Sequence, residues 1–124
     1  MTKKILVAED ELPLKLALTT KLESAGFDVV SAANGQEAID QAIRELPDLI
    51  FLDVMMPIKD GFEALEEIKA EPKTKNIPIV FLTNYGHGYM KENAQSGGAA
   101  DYSVKTDVSL NEIVSKAKKI LAIS

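Results

Sequence analysis

The sequence predicts an α/β domain in which five parallel strands alternate with five helices. Apolar runs of strand length recur along the chain, and segments with helical periodicity lie between them. The runs at 5–8, 49–52 and 79–82 are apolar throughout, which is typical of strands buried on both faces of a parallel sheet. Because right-handed crossovers place helices on both faces, five such units favour a flavodoxin-like fold with strand order 2-1-3-4-5.

The chain begins with a strand, a helix and a second strand. The first strand covers residues 5–8. The helix after it has Pro13 in its first turn and Gly26 at its C-terminal stop, where these residue types are favoured. Residues 27–31 form the second predicted strand. The core-facing residues of the helix recur at every fourth position: Leu14, Leu18 and Leu22.

The second and third helices each begin at an N-cap residue with Glu three positions later. Asn34 precedes Glu37 and, after the third strand at residues 49–52, Asp60 precedes Glu63. A side-chain acceptor with this spacing to Glu is a sequence signature of a helix start. Both helices have apolar residues at helical spacing: Ala38, Ile39, Ala42, Ile43 and Leu46 in the second, and Phe62, Leu65 and Ile68 in the third.

The chain ends with two strands and two helices. The fourth strand covers residues 79–82 and the fifth covers 99–104. The segment 90–96 between them has the weakest helical pattern, with few apolar residues and glycines on both sides. Ser109 and Glu112 form the capping-box pattern that opens the last helix. The apolar stripe of this helix is the clearest in the chain: Leu110, Ile113, Val114, Ala117, Ile120 and Leu121.

Composition restricts the kinds of site that the chain can build. We expect one domain over residues 1–124, because this length is close to the commonest domain size. The absence of cysteine excludes disulfides and thiolate sites, and a single histidine excludes a multi-histidine metal site. That histidine, His87, lies between two glycines, where we expect an exposed loop. The net charge of -5 argues against nucleic-acid binding, which depends on Lys and Arg neutralising phosphates.

Hydropathy gives no sign of a membrane segment or a secretory leader. No apolar run approaches the length of about 18 residues that a membrane helix needs. The apolar run after the N-terminal Met1-Thr2-Lys3-Lys4 is too short for a signal peptide. We therefore expect a cytoplasmic protein without a membrane partner.

Acidic residues follow two strands that are neighbours in the predicted sheet. The first strand runs directly into Glu9-Asp10-Glu11, and the third ends at Asp53. At least three carboxylates would then meet at one end of the sheet and repel one another, and a cation would relieve this repulsion. Oxygen ligands without nearby His or Cys favour Mg²⁺ or Mn²⁺. The alternative is that the acidic triplet only stabilises a helix N-terminus through the helix dipole.

Two other polar side chains stand at the same end of the predicted sheet, Thr83 after the fourth strand and Lys105 after the fifth. The loop after the first strand is acidic, so it would repel a phosphate group. Neither the dinucleotide motif G-x-G-x-x-G nor the P-loop motif G-x-x-x-x-G-K-[ST] occurs in the sequence. The sequence therefore argues against binding of free nucleotides or dinucleotides.

These residues together resemble the receiver domain of two-component response regulators. The resemblance covers about residues 3–123 and rests on five features in order: Glu9-Asp10 after the first strand, Asp53 within Leu52-Asp53-Val54-Met55-Met56-Pro57, Asp60-Gly61, Thr83 and Lys105. Each feature alone is a weak signal, whereas five in order on the expected strands are specific.

The resemblance implies transfer of a phosphoryl group to Asp53. The donor would be the phosphohistidine of a sensor histidine kinase or of a histidine phosphotransfer protein, or a small donor such as acetyl phosphate. Lys105 would pair with one phosphoryl oxygen, and the Thr83 hydroxyl would bond another. In chemical terms such a transfer needs positioning and cations that neutralise the phosphoryl oxygens.

The resemblance also implies a bound Mg²⁺ ion and a conformational switch. The ligands would be Glu9, directly or through water, with Asp10, Asp53 and the backbone carbonyl of Met55. Tyr102 matches the switch aromatic of the family and would turn inward when Thr83 moves toward the phosphoryl group. This movement would alter the face made by the fourth helix, the fifth strand and the last helix, and that face would bind a downstream protein.

Two positions near the expected site depart from the usual pattern of this family. Glu9 stands where the family more often has Asp, and its extra methylene group would shift the metal geometry slightly. Thr106 stands where the family usually has Pro after a cis peptide. Because a cis bond before a non-proline residue costs about 2.5–4 kcal/mol, either the Lys105–Thr106 bond is trans or the fold bears that cost.

Three residues near the expected phosphorylation site are large. Asn84 replaces the small residue that the family has after the threonine, and we expect it to narrow access to Asp53. Met55 and Tyr85 occupy positions that influence dephosphorylation in the family. We expect both side chains to shield the phosphoryl group from water and to slow its hydrolysis.

Three functions remain open from the sequence. The first is a Mg²⁺-dependent phosphoacceptor module that catalyses its own phosphorylation and dephosphorylation and is not a conventional turnover enzyme. The second is a degenerate receiver that binds or dimerises without phosphorylation, to which Asn84 and Thr106 point. The third is a small Mg²⁺-dependent hydrolase, although nothing in the sequence forms a substrate pocket. The sequence ends soon after the last helix, so the domain is either a stand-alone regulator or part of a longer one.

Overall fold

A computed structural model of the chain describes residues 2–86, 88–90 and 97–123. The strands are β1 Lys4–Ala8, β2 Asp28–Ala32, β3 Leu49–Asp53, β4 Ile79–Thr83 and β5 Asp101–Val104. The helices are α1 Leu12–Ser24, α2 Gly35–Glu45, α3 Gly61–Ala70, the helical residues 88–90, which we label α4, and α5 Leu110–Ile120. None of the helices in the described part of the chain is long and apolar enough to cross a membrane.

The sheet is parallel throughout, with the order β2-β1-β3-β4-β5, and this confirms the predicted fold. Strand order reverses between β1 and β3, where Ala8 pairs with Leu52. On the other side of β3, Asp53 pairs with Leu82 of β4. The carboxyl ends of the three central strands therefore finish together, and ligands bind in the crevice at such a reversal point.

The sheet separates two apolar layers. All five residues of β3 and of β4 are buried, as the continuous apolar runs predict. Successive side chains of a strand point to opposite faces, so Leu6 and Ile50 pack in the layer of α2 and α3, whereas Ile5 and Phe51 pack in the layer of α1 and α5. Burial on both faces leaves only the strand ends free to carry polar groups.

The predicted N-caps start three of the helices. The Asn34 side chain accepts a hydrogen bond from the backbone of Glu37 at 2.8 Å, and the Asp60 cap of α3 is a complete capping box. At α5, Ser109 Oγ accepts a bond from the Glu112 backbone at 3.1 Å. Each cap satisfies a backbone N–H that has no partner within its helix. Helix α1 begins at Leu12 with a proline in its first turn, as predicted.

The structure corrects two details of the sequence prediction. Ile43 and Leu46 belong to the predicted stripe of α2, but both side chains are exposed. Leu46 is exposed because α2 ends at Glu45 and Leu46 takes a left-handed conformation, with φ of 47°, that turns the chain away. Strand β5 begins at Asp101, two residues later than predicted. Of the fourth predicted helix, residues 91–96 lie outside the described residues, and so does His87.

Side chains bond to the backbone at the edge strand β5. The Tyr102 N–H donates a hydrogen bond to Asp101 Oδ1 at 2.8 Å. Lys116 of α5 donates to the Tyr102 carbonyl at 3.2 Å and also pairs with Asp101 Oδ2 at 2.8 Å. Helix α5 is therefore fastened to the last strand of the sheet by one lysine.

Candidate functional site

Three carboxylates converge at the carboxyl ends of β1 and β3. Glu9 and Asp10 follow β1, and Asp53 is the last residue of β3. One oxygen of each carboxylate lies within 4.8 Å of the others. Glu9 and Asp53 are buried, whereas Asp10 is exposed. The predicted meeting of three acids at the crevice is therefore present in the fold.

Glu9 is the most buried of the three acids, with none of its surface exposed. Its Oε2 accepts a hydrogen bond at 3.0 Å from the backbone of Glu11, the N-cap residue of α1. Its Oε1 lies 2.6 Å from the Lys105 ammonium but outside hydrogen-bond geometry, and no described residue donates a hydrogen bond to it. One buried oxygen of Glu9 therefore makes an ion pair and keeps lone-pair capacity for a cation.

Lys105 enters the site from the loop after β5. Its backbone N–H donates to the Thr83 carbonyl at 2.7 Å, which fixes the start of the loop against β4. Its Nζ lies 3.2 Å from Asp53 Oδ2. Burial lowers the pKa of Lys105, but the close Glu9 and Asp53 carboxylates outweigh burial and raise it, so the ammonium persists. The Lys105–Thr106 peptide is trans, so the lysine reaches both acids without the cis bond.

Asp53 has a strongly perturbed carboxyl group. Burial and the neighbouring Glu9 carboxylate together raise the pKa of Asp53 to about 7, against the opposing effect of Lys105. Its Oδ1 accepts a weak hydrogen bond from the Met55 backbone at 3.3 Å. A carboxylate in this position lacks sufficient positive charge around it, and an added cation would supply that charge.

The close approach of α3 to β3 explains why glycine follows Asp60 in the sequence. A Cβ atom at Gly61 would lie 2.8 Å from Val54 Cα and would also clash with the Asp53 carbonyl, so no larger residue fits without moving β3. The Gly61 N–H donates to the Val54 carbonyl at 2.7 Å. Gly61 thereby allows the start of α3 to lie directly against the end of β3, which fixes the backbone of Asp53.

The same loop contains a strained residue. Ile58 has φ of 72°, in the left-handed region that β-branched residues avoid, and its side chain is 75% exposed. The Lys59 N–H donates across it to the Pro57 carbonyl at 2.8 Å, which closes a γ-turn. A Cβ at Gly35 of α2 would clash with Lys59, so this turn lies in close contact with the start of α2.

An open cleft of about 410 Å³ leads to the acids. It is lined by Asp10, Glu11, Asp53, Met55, Met56 and Asn84. Met55 is 61% exposed, whereas Met56 is nearly buried in the core. Asn84 and Met55 therefore lie where the sequence analysis expects side chains that limit access to Asp53.

The structure also describes the remaining predicted residues, Thr83, Tyr85 and Tyr102. Thr83 ends β4 and is buried, and its Oγ1 accepts a hydrogen bond from the Tyr85 backbone at 3.0 Å. The Tyr85 ring is half-buried and stacks on Tyr89 of α4, with 4.4 Å between the ring centroids. Tyr102 on β5 is half-buried against the layer of α2 and α3. Sequence reasoning missed Tyr89, although its spacing of four residues from Tyr85 is a helical-contact signal.

The donor set suits a hard divalent cation. Oxygen is the only ligand type, two of the carboxylates are buried, and a buried oxygen of Glu9 has no hydrogen bond from the described residues. Mg²⁺ uses one or two carboxylates and keeps several waters, and the open cleft has room for them. The arrangement thus combines a candidate cation site, a buried carboxylate and an ammonium group.

Known proteins resemble this chain over nearly its whole length. The family model described as the response regulator receiver domain matches residues 5–118. The alkaline phosphatase synthesis transcriptional regulatory protein PhoP of Bacillus subtilis is 39% identical over 121 residues, which are 98% of this chain and 49% of the relative. The phosphate regulon regulatory protein PhoB of Escherichia coli is 36% identical over 98% of this chain and 52% of its own length. The chain spans about half the length of these relatives.

Solved structures share the fold. One is the receiver domain of a sensor histidine kinase from Pseudomonas aeruginosa, with a magnesium ion coordinated in its active-site cleft. It has a TM-score of 0.89 and 28% identity, and the match covers 98% of this chain and 99% of that one. A two-component response regulator from Clostridium difficile has a TM-score of 0.89 and 30% identity, over 98% of this chain and 97% of its own.

Proposed function

This chain belongs to the response regulator receiver domain family, and we propose on that premise that it is a phosphoacceptor switch with Asp53 as the acceptor. The observation that carries the proposal is the convergence of Glu9, Asp10 and Asp53 in one cleft with the Lys105 ammonium. A nucleophile, a cation site and a fixed positive charge are the parts that phosphoryl transfer requires of a protein.

Mg²⁺ is the cofactor that fits this site. Its protein ligands would be Asp10, Asp53, Glu9 (directly or through water) and the Met55 carbonyl. When bound, the ion supplies positive charge that neutralises the phosphoryl oxygens. The related sensor-kinase receiver domain with magnesium in its cleft supports this choice.

The residues of the chain provide the other parts of the transfer. An Asp53 carboxylate oxygen attacks phosphorus, and the bond from phosphorus to the donor breaks. The electron pair goes to the donor, which leaves as a neutral imidazole after gaining a proton or, from acetyl phosphate, as acetate. Lys105 pairs with a phosphoryl oxygen, and the Thr83 hydroxyl donates to another. In hydrolysis, water attacks phosphorus, the Asp53 carboxylate leaves, and the water proton passes to solvent.

The phosphoryl donor is proposed to be a sensor histidine kinase or a histidine phosphotransfer protein. Exposed apolar side chains near the cleft support a protein donor. Met55 lines the cleft, and Leu12 directly follows the cleft residue Glu11; both side chains are more than half exposed. Receiver domains partner with histidine kinases, and such a surface can bury apolar area in a transient complex.

The proposed output is a change in the face made by α4, β5 and α5. Movement of Thr83 toward the phosphoryl group would leave room for the half-buried Tyr102 to turn inward. A groove of about 750 Å³ runs between β5 and α5 on this face, and Lys116 and Glu112 are among its lining residues. We expect a downstream protein to read this face, and we expect no contact of this domain with nucleic acid and a cytoplasmic location.

Phosphorylation by a small donor tests the proposal. The protein is incubated with Mg²⁺ and acetyl phosphate, and the mass of the intact chain is measured beside Asp53→Asn and the control Asp28→Asn, at an exposed position of β2. We expect one added phosphoryl group on the wild type and on Asp28→Asn, and none on Asp53→Asn. No labelling of the wild type, together with no response to beryllofluoride, would favour the degenerate receiver. Steady turnover of unrelated phosphate esters would favour the hydrolase.

A further inference from the structure

Four aromatic side chains form a continuous row from the core to the surface beside the candidate site. The Phe81 ring of β4 meets Phe62 of α3 edge-on, with centroids 5.1 Å apart. Phe62 lies 6.2 Å from Tyr89, and Tyr89 stacks on Tyr85 at 4.4 Å with an interplanar angle of 27°. Aromatic rings at these distances attract one another beyond simple burial. Ring contacts therefore connect Tyr89, the most exposed ring of the row, to the core.

The last ring of the row belongs to Tyr85, whose backbone binds the Thr83 hydroxyl. Tyr85 donates its backbone N–H to Thr83 Oγ1 at 3.0 Å. Asn84, between these two residues, lines the acidic cleft. A shift of Tyr85 would therefore move both the partner of the Thr83 hydroxyl and the wall of the cleft.

Tyr85 is half-buried against the layer of α2 and α3, whereas the stacked Tyr89 has a 44% exposed side chain and is anchored through the residue that follows it. Its neighbour Met90 is buried in the layer of α2 and α3, and the Met90 N–H donates to the Gly86 carbonyl at 3.2 Å. Tyr85 instead lies in the loop that follows β4, directly before Gly86. The space beside Gly86 is open, since a Cβ added there would meet nothing within 4 Å. The stack is therefore a support that a helix gives to a loop residue.

We infer that Tyr89 is a positioning residue of the phosphoacceptor site, acting through Tyr85; this inference rests on the proposed function. The ring of Tyr89 keeps Tyr85 in place, so that its N–H orients the Thr83 hydroxyl and its side chain limits the approach of water. Without the ring of Tyr89, the aspartyl phosphate on Asp53 is hydrolysed faster. The aromatic face carries this role, and the Tyr89 hydroxyl does not.

The test is the lifetime of the phosphoryl group in a set of five variants. Each purified protein is labelled with acetyl phosphate and Mg²⁺, the donor is removed, and loss of the label is followed by intact mass. We expect Tyr89→Ala to shorten the lifetime by about twofold to tenfold, the range that one aromatic contact provides. Tyr89→Phe should retain the wild-type lifetime. The control Ile43→Ala, at a similarly exposed helical position, should also retain it.

The double variant shows whether Tyr89 acts through Tyr85. Tyr85→Ala should shorten the lifetime, and adding Tyr89→Ala to it should change the lifetime little further, because the two residues act as one unit. Fully additive effects would overturn the inference. The inference would also be overturned if Tyr89→Ala kept the wild-type lifetime. It would be overturned likewise if Tyr89→Phe shortened the lifetime as much as Tyr89→Ala.

Two measurements separate this inference from general unfolding and from the proposed function. Urea unfolding midpoints identify any variant that is simply less stable. The chain has three tyrosines and no tryptophan, so in Tyr102→Phe the tyrosine emission comes only from the stacked pair. We expect beryllofluoride with Mg²⁺ to change that emission; an unchanged emission in labelled protein would count against the role of Tyr89. Failure of the wild type to accept any label would instead contradict the proposed function.

Discussion

Lys105 Nζ lies 2.6 Å from Glu9 Oε1, closer than it lies to Asp53 Oδ2, at 3.2 Å. The lysine is therefore held mainly by the acid of β1 and not by the proposed phosphoacceptor. Because Glu9 has no exposed surface, this ion pair is screened little by solvent. In the proposed phosphorylated form, the Lys105 ammonium would be shared between the phosphoryl group and Glu9.

Removing the charge of Glu9 should weaken metal binding. Glu9→Gln keeps the shape of the side chain but takes one carboxylate from the cluster of three. We expect Mg²⁺ affinity, measured by isothermal titration calorimetry, to fall by about tenfold, a typical loss for a residue supporting a metal site. Glu23→Gln, at an exposed position late in α1, is the matched control. Equal affinity in Glu9→Gln and Glu23→Gln would contradict the assignment of Glu9.

Asp53 should make the metal-free protein less stable as the pH rises. Its pKa is raised from 3.8 to about 7 in the folded state, so between these values the folded state binds more protons than the unfolded state. Stability from this group is then present at low pH and is lost as the pH rises toward 7. Asp53→Asn lacks this penalty and should be more stable than the wild type, by on the order of 2 kcal/mol at about pH 8.

Urea unfolding in EDTA at several pH values checks this expectation. The advantage of Asp53→Asn should shrink as the pH falls toward about 5, because the wild-type carboxyl group becomes protonated. Saturating Mg²⁺ should stabilise the wild type and have a smaller effect on the variant, since binding to the folded state adds stability. An advantage that is constant with pH would show that burial and charge crowding do not determine the behaviour of Asp53.

Gly61→Ala should destabilise the protein and impair phosphorylation together. The added Cβ would clash with the backbone of Asp53 and Val54, so β3 or α3 would have to move. We expect a loss of about 1–3 kcal/mol in the free energy of unfolding, the usual cost of overpacking. Gly86→Ala is the control for stability, because its Cβ would meet open space. If Gly61→Ala were as stable as Gly86→Ala, the close approach of α3 to β3 at Gly61 would not be required.

Relief of the strain at Ile58 should stabilise the fold. Asn tolerates the left-handed region better than a β-branched residue, and the Ile58 side chain is 75% exposed, so little burial is lost. We expect Ile58→Asn to raise the free energy of unfolding by about 1 kcal/mol. Ile58→Val keeps the branched side chain and should give no gain. A gain in Ile58→Val as large as that in Ile58→Asn would point to a cause other than backbone strain.

Met55 should slow the loss of the phosphoryl group. Its side chain lies in the cleft and is 61% exposed, so it stands where water must approach Asp53. We expect Met55→Asn to shorten the lifetime of the aspartyl phosphate by about twofold to tenfold, because a polar side chain admits and orients water. Ile123→Asn, at an exposed apolar position beyond α5, should leave the lifetime unchanged. An unaltered lifetime in Met55→Asn would reject the shielding role.

The sheet could be predicted from the sequence because its signals are local. The continuous apolar runs of β1, β3 and β4 mark strands buried on both faces, and the caps at Asn34, Asp60 and Ser109 mark helix starts. The end of α2 was harder to predict, since Leu46 has the hydrophobicity of a core residue but leaves the helix by a left-handed turn. Periodicity reports which residues can share a face and not where the helix stops.

The convergence of the acids could also be predicted, whereas their pairing with Lys105 could not. Strand order alone brings Glu9 and Asp53 to one crevice. The preference of Lys105 for Glu9 depends on a difference of less than one ångström between two ion-pair distances. The stack of Tyr85 and Tyr89 likewise depends on the path of a loop, so their four-residue spacing alone does not predict it.

The side-chain bonds at the edge of β5 bear on how this protein behaves when it is concentrated. An open sheet edge is a template for strand addition and thus for aggregation. At Tyr102 the N–H is taken by Asp101 and the carbonyl by Lys116, so an incoming strand would first have to displace an aspartate and a lysine. The residues that fasten α5 to the sheet therefore also protect this edge against growth into intermolecular β-structure.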